Sequence, residues 1–142
     1  MKGGSYVFDA SAIIKVAEIA PRRAPAVLKK QHTADLAYYE IGNYIWKLKK
    51  REVIDDAAPY VEFFSKLLAH MTVHGVGLRD EVLDIATRRG LTYYDAVYLW
   101  LAESLDVPLV TEDGKLCQAA ARCLTAVSYT HLRAHETRHD IV

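Results

Sequence analysis

Cysteine is scarce in this chain: of 142 residues, only Cys117 and Cys123 carry a thiol. Their single close spacing matches neither a zinc knuckle nor a disulfide framework, so small metal-stapled and disulfide-stapled folds are set aside. The same scarcity points to a reducing, cytoplasmic home. An excess of one charge is lacking too. Lys plus Arg and Asp plus Glu stand at 18 each, so no overall field draws the protein to nucleic acid or a membrane surface, and any anion contact must come from a local patch. No apolar run approaches the roughly 20 residues needed to cross a bilayer, and no basic, apolar, small-residue leader opens the chain. Repeats, linkers and low-complexity stretches are also missing. What remains is a chain about half apolar, 51% by composition, which is enough to bury one core.

The pattern of elements is mixed. Ser5 to Phe8 is a short β-prone run that stops at Asp9, and Ala10 to Glu18 then has helical spacing that ends before Pro21. Leu36 to Arg51 reads as an amphipathic helix with a cationic end. A further helix starts at Asp55 or Asp56 and runs to about His70, and Met71 to His74 is a short strand. Asp80 to Arg89 is a helix closed by Gly90, and Tyr93 to Leu105 is a mostly buried one. Val107 to Thr111 is the last clear strand and Asp113 to Arg122 the last clear helix, with Leu124 to Val127 able to stand as an edge strand. Strands alternating with helices predict an α/β fold, a parallel sheet covered on both faces.

Residues 127–142 have a different texture. His135-Glu-Thr-Arg-His139 matches the zinc-peptidase pattern, and His131 extends the helical spacing. A catalytic zinc nevertheless needs a third protein ligand and a cleft, and Val127 to Thr137 closely resembles the translation of a transposon-end sequencing adapter. We therefore take residues 1–126 as the domain and 127–142 as a non-native tail.

Within the domain the acids sort by position. Asp9 and Asp113 each follow a strand, Asp95 opens a helix, and Glu40 lies near the start of its helix among Tyr38, Tyr39, Ile41, Tyr44, Ile45 and Trp46. Residues just beyond the carboxyl ends of parallel strands share one edge of the molecule. Asp9 and Asp113 should converge there. Gathered carboxylates repel, so they protonate or destabilise the fold unless a hard divalent cation neutralises them, and Mg2+ or Mn2+ is the natural partner. The competing explanation is helix capping: Asp9 and Asp113 suit N-cap positions, and Thr92 with Asp95 suits a capping box.

Four segments together resemble the PIN-domain family, in particular its VapC-type toxins. Val7-Phe-Asp-Ala-Ser-Ala-Ile-Ile14 is similar to the opening strand and aspartate, with Ser11 as the small hydroxyl residue. Tyr39-Glu-Ile-Gly-Asn-Tyr-Ile-Trp46 is similar to the helix that carries a glutamate with asparagine, here Asn43, three residues on. Leu91 to Ala102 resembles the aspartate with its apolar helix, and Pro108 to Leu116 resembles the strand ending in Thr-x-Asp. The resemblance implies a three-layer α/β/α sandwich around a parallel sheet of about five strands, with Asp9, Glu40, Asp95 and Asp113 as catalytic metal ligands and Ser11, Asn43 and Thr111 supporting them. It also implies hydrolysis of RNA phosphodiester bonds with Mg2+ or Mn2+, an inhibitory antitoxin that lays a helix in an apolar groove, and a homodimer. A housekeeping RNA-processing nuclease and a non-catalytic RNA-binding scaffold are the alternatives within the family. A haloacid-dehalogenase-like phosphatase would need a second aspartate where Ser11 stands, and a receiver domain would need paired acids before its first helix.

Other residues carry weaker expectations. Lys47, Lys49, Lys50 and Arg51, with Arg22, Arg23, Lys29 and Lys30, are candidates for RNA phosphate contacts, although a solvated helix end accounts for the first group equally well. The tyrosines at 38, 39, 44, 93, 94 and 98 suit base stacking but more often belong to a core. His32, His70 and His74 read as structural. Ala57 to His70 is apolar enough for a groove wall or for core.

Overall fold

The computed structural model describes residues 4–141, the side chains of 135–141 excepted. The histidine pattern at 135 and 139 thus falls outside the described side chains. Five short strands, β1 (Val7–Phe8), β2 (His32–Ala34), β3 (Thr72–His74), β4 (Leu109–Val110) and β5 (Cys123–Leu124), pair in the order β3-β2-β1-β4-β5, all parallel. Parallel pairing demands a crossover after each strand, and helices supply it. These are α1 (Ala10–Ile19) and α2 (Ala24–Leu28) after β1, α3 (Leu36–Lys50) and α4 (Ala58–Ala69) after β2, α5 (Asp80–Arg89) and α6 (Tyr93–Leu105) after β3, and α7 (Gly114–Ala119) after β4. A last helix, α8 (Ala126–Ile141), follows β5. Among the described residues no helix is long and apolar enough to cross a membrane.

Alternation along β1 divides the core. Phe8 points into a cluster with Ile13, Val16, Leu28, Ile41 and Leu67, whereas Val7 points the other way against Val82, Val97, Leu99, Leu109 and Leu116. Two apolar layers on opposite faces of one sheet are the three-layer α/β/α sandwich that the sequence predicts. Local signals set the boundaries. Asp9 caps α1 by accepting from the Ala12 N–H, Thr92 caps α6 by accepting from the Asp95 N–H, and Gly90 ends α5 in the left-handed region at φ 64. That conformation costs glycine least.

Several sequence readings change here. Helix α2 and strand β2 were not foreseen, and α7 stops at Ala119 rather than Arg122. The edge strand is Cys123–Leu124, starting one residue before the expected Leu124 and ending at it. Cys117 and Cys123 are joined in a disulfide with Cα atoms 5.5 Å apart, because the chain reverses after Ala119 and returns β5 alongside α7. Cysteine usage therefore no longer argues for a reducing compartment. Lys29 and Lys30 sit just before β2, at the sheet edge opposite Asp9, and Arg22 and Arg23 lie beyond the far end of α1. They cannot hold RNA across a pocket built at the other edge. The segment from Val127 is helical, and its Tyr129 is fully buried with its ring edge-on to Phe8, centroids 4.7 Å apart, and to Tyr6 at 5.1 Å; its hydroxyl donates to the Val27 carbonyl.

His32 and His74, on neighbouring strands, bring Nδ1 and Nε2 within 2.9 Å. Burial first, and then the adjacent His74, hold the His32 imidazolium below its ordinary range. Replacing His74 with asparagine should return the His32 titration, followed by NMR, only part of the way, because burial is the larger cause. A complete return, or none, would contradict that ordering.

Candidate functional site

The four acids come from four places in the chain. Asp9 and Asp113 follow β1 and β4, neighbouring strands at the centre of the sheet, so both project from its carboxyl edge. Glu40 sits five residues into α3, just after β2, and Asp95 lies in the first turn of α6. Their fields connect in series: Glu40 raises the pKa of Asp9, Asp95 raises that of Glu40, and Asp113 raises that of Asp95. The four predicted acids are therefore linked pairwise, each to the next, along the carboxyl edge of the sheet.

Asp9 is the deepest, 5% exposed. Its Oδ1 accepts from the Ser11 hydroxyl at 2.7 Å and the Ala12 N–H at 2.9 Å, and its Oδ2 from the Thr111 hydroxyl at 2.5 Å. These bonds favour the carboxylate, yet burial outweighs them and lifts its pKa from 3.8 to about 6. Thr111 also accepts from the Asp113 N–H at 3.0 Å, and Ser11 from the Glu112 N–H at 3.0 Å. Two hydroxyls thus lock the end of β1 to the end of β4. Asn43 is exposed on α3, one turn beyond Glu40 and away from this lock.

Capping and clustering turn out to be compatible. Asp113 uses Oδ1 to accept from the Lys115 and Leu116 N–H groups, which leaves Oδ2 outside the cap. Glu40 accepts from the Tyr98 hydroxyl at 2.7 Å, and burial raises its pKa more than this bond lowers it. Asp95 is raised chiefly by burial and then by Asp113, with Lys115 pulling the other way. Tyr98 and Lys115 were not singled out from the sequence as site residues. Tyr98 carried a usable signal, since it lies three residues after Asp95 and so shares its helix face.

Among the described residues none of the ion pairs involves any of the four acids. Nor do three acidic, histidine or cysteine side chains stand close enough to grip one ion together. The donor set nevertheless fits a hard cation of the Mg2+ type, which binds through one or two carboxylates and keeps several waters. A desolvated, mutually repelling carboxylate chain is the electrostatic counterpart of such an ion.

The remaining candidates separate cleanly. Tyr98 is buried and Tyr44 half-buried, whereas Tyr38, Tyr39 and Tyr94 are exposed, as is Trp46. Lys47, Lys49, Lys50 and Arg51 close α3; at 1.5 Å per residue they stand about 10 to 17 Å along the helix from Glu40. On the α1 side, Ala17, Pro21, Tyr44, Pro59, Tyr60 and Phe63 line an apolar groove of about 440 Å³. Phe64 forms its floor while Leu67 and Leu68 are core, so α4 serves as both groove wall and core.

Residues 6–122 match the PIN domain family. The Pyrobaculum aerophilum protein named exonuclease VapC9 is 38% identical over 116 residues, covering 78% of this chain and 82% of its own. Ribonuclease VapC3 of the same organism is 32% identical over 120 residues, covering 79% and 92%. The crystal structure of PAE2754, also from Pyrobaculum aerophilum, superposes with a TM-score of 0.79 at 33% identity over 92% of this chain and 97% of the other. With the family spanning residues 6–122 and a solved relative superposing over 92% of the sequence, this chain belongs to the PIN-domain family and is homologous to the VapC nucleases.

Proposed function

We propose that this protein is a divalent-metal-dependent endoribonuclease, the toxin of a type II toxin–antitoxin pair acting in the cytoplasm. The observation that carries the reading is the series of four coupled carboxylates at the carboxyl edge of the sheet, with no ion pair to any of them among the described residues. An Mg2+ or Mn2+ ion bound there would lower the pKa of a water and offset the charge on the phosphate. Asp9, fixed by Ser11 and Thr111, and Asp113 offer oxygens from adjacent strand ends. Glu40, held by Tyr98, and Asp95 are placed to orient the attacking water. Lys115, beside Asp95, supplies a positive charge for the scissile phosphate.

The groove beside α4 is the proposed seat of the antitoxin helix, being apolar and bordered by Glu18. The protein is also proposed to act as a homodimer. Kinship with a protein named exonuclease favours one second reading, removal of nucleotides from an end rather than internal cutting.

A labelled structured RNA separates these readings. The expected result is cleavage that requires Mg2+ or Mn2+ and falls at least a hundredfold in Asp95→Asn, more than the ~10–100-fold that loss of an outer-shell partner costs. Discrete internal fragments support endonuclease action and a ladder from one end supports exonuclease action. Cutting that persists in chelator, or in Asp95→Asn, would remove the four-acid mechanism.

A further inference from the structure

The outward face of α3 carries Tyr39, Asn43, Trp46 and Lys50, spaced by four, three and four residues so that they form one stripe on the side opposite the buried Ala37, Ile41 and Ile45. Tyr39 is 76% exposed and Trp46 54%. Single apolar residues on a surface need no explanation. Two aromatic rings in line, beginning at the residue before Glu40, do. The Lys50 ammonium stands over the Trp46 ring at 4.9 Å from its centroid, and a side chain built at Gly42, beside the stripe, would meet nothing within 4 Å. The path along the helix is open. On α6, Tyr94, 61% exposed, immediately precedes Asp95.

We propose that this stripe is a track for single-stranded RNA leading to the four acids, a reading that rests on the nuclease function proposed above. Tyr39 and Trp46 stack bases, and Lys50, with Lys47 beside it, contacts phosphates. The rings are seven residues apart, about 10 Å along the axis, or some three stacked nucleotides at ~3.4 Å each. Aromatic faces interleaved with cations are how sequence-tolerant single-strand sites are built. A protein helix would instead want the uninterrupted apolar surface that the groove beside α4 provides. In a duplex the base faces are already stacked on one another, so a duplex gains nothing from the two rings.

The test uses the full chain in chelator, where nothing is cut, and a labelled single-stranded oligoribonucleotide beside a duplex of equal length. Expected are tighter binding of the single strand, a loss of about tenfold in each of Tyr39→Ala and Trp46→Ala, the size of one lost stack, and near-normal binding by Trp46→Phe. Trp46 emission should fall on binding in the wild type, with Trp46→Phe reporting the Trp100 background. Equal single-strand affinity in wild type and both alanine variants would overturn the track, and the nuclease function would still stand if the wild type cuts RNA with metal. Were Trp46→Ala to change the oligomeric mass and leave RNA affinity intact, the face would belong to a second copy and the track would be wrong. A wild type that neither binds nor cuts RNA would bring down both readings.

Discussion

Replacing Asp9 with asparagine is expected to abolish RNA cleavage and, in the absence of metal, to make the protein more stable. The two effects have one cause. Burial lifts the Asp9 pKa from 3.8 to about 6, so the folded state holds this proton more tightly than the unfolded chain does. A raised carboxyl pKa contributes stability that is fully present below about pH 4 and is lost as pH climbs through 6. At pH 7 a shift of roughly two units corresponds to about 3 kcal/mol against the metal-free fold. Asparagine keeps the shape and an oxygen for the Ala12 and Ser11 donors while removing the charge. In chelator at pH 7, Asp9→Asn should therefore melt several degrees above wild type, at about 2–4 °C per kcal/mol for a chain of this size. The gap should narrow to about half at pH 5 and close only below about pH 4. Adding Mn2+ should stabilise wild type more than the variant, because only the folded wild type offers the full site. Calorimetry in the four combinations of pH and metal decides the matter, and a variant less stable than wild type in chelator at pH 7 would refute it.

The second large effect concerns the other end of the chain. Tyr129→Ala is expected to cost about 3–5 kcal/mol, the range for removing a buried aromatic ring, because its neighbours Phe8 and Tyr6 belong to the sheet centre and its approach and cannot collapse into the space. Tyr129→Phe keeps both edge-on ring contacts and loses the bond to the Val27 carbonyl, about 1 kcal/mol. A chain ending at Ala126 should lose at least as much as the alanine variant, since the whole of α8 goes with the ring. Urea midpoints measure all three; an unchanged midpoint in the shortened chain would mean that α8 contributes nothing. We retain as a proposal that residues 127–142 are of foreign origin. Origin and packing are separate matters, and foreign residues can still fill a core.

Asp9, Asp95 and Asp113 were legible because each stands at a strand end or in a helix cap or first turn, and such junctions leave short, specific marks in sequence; Glu40, inside α3, stood out as an acid among aromatic and apolar neighbours. Helices α5 and α6 were legible to the residue, since Gly90, Thr92 and an unbroken apolar run define their ends locally. Strand β2 was not. Its three residues, His32 to Ala34, show no alternation and exist as a strand because β1 and β3 flank them, a constraint that no local window contains. The disulfide was hidden for a similar reason: six residues between two cysteines say nothing of whether the chain reverses between them. Spacing also could not sort the tyrosines. Tyr94 and Tyr98 lie one helical turn apart, yet one is 61% exposed and the other 1%: Tyr94 belongs to the first turn of α6, and Tyr98, a turn further in, packs in the core with its hydroxyl on Glu40.

Strand β1 is made first but lies third of five across the sheet, and one of the two hydroxyls that fix Asp9 belongs to Thr111. During synthesis, then, a ribosome carries Asp9, Glu40 and Asp95 before it carries β4 and the Thr111 hydroxyl that binds Asp9. Under the proposed ribonuclease function, a growing chain cannot complete its acid site until β4 has emerged.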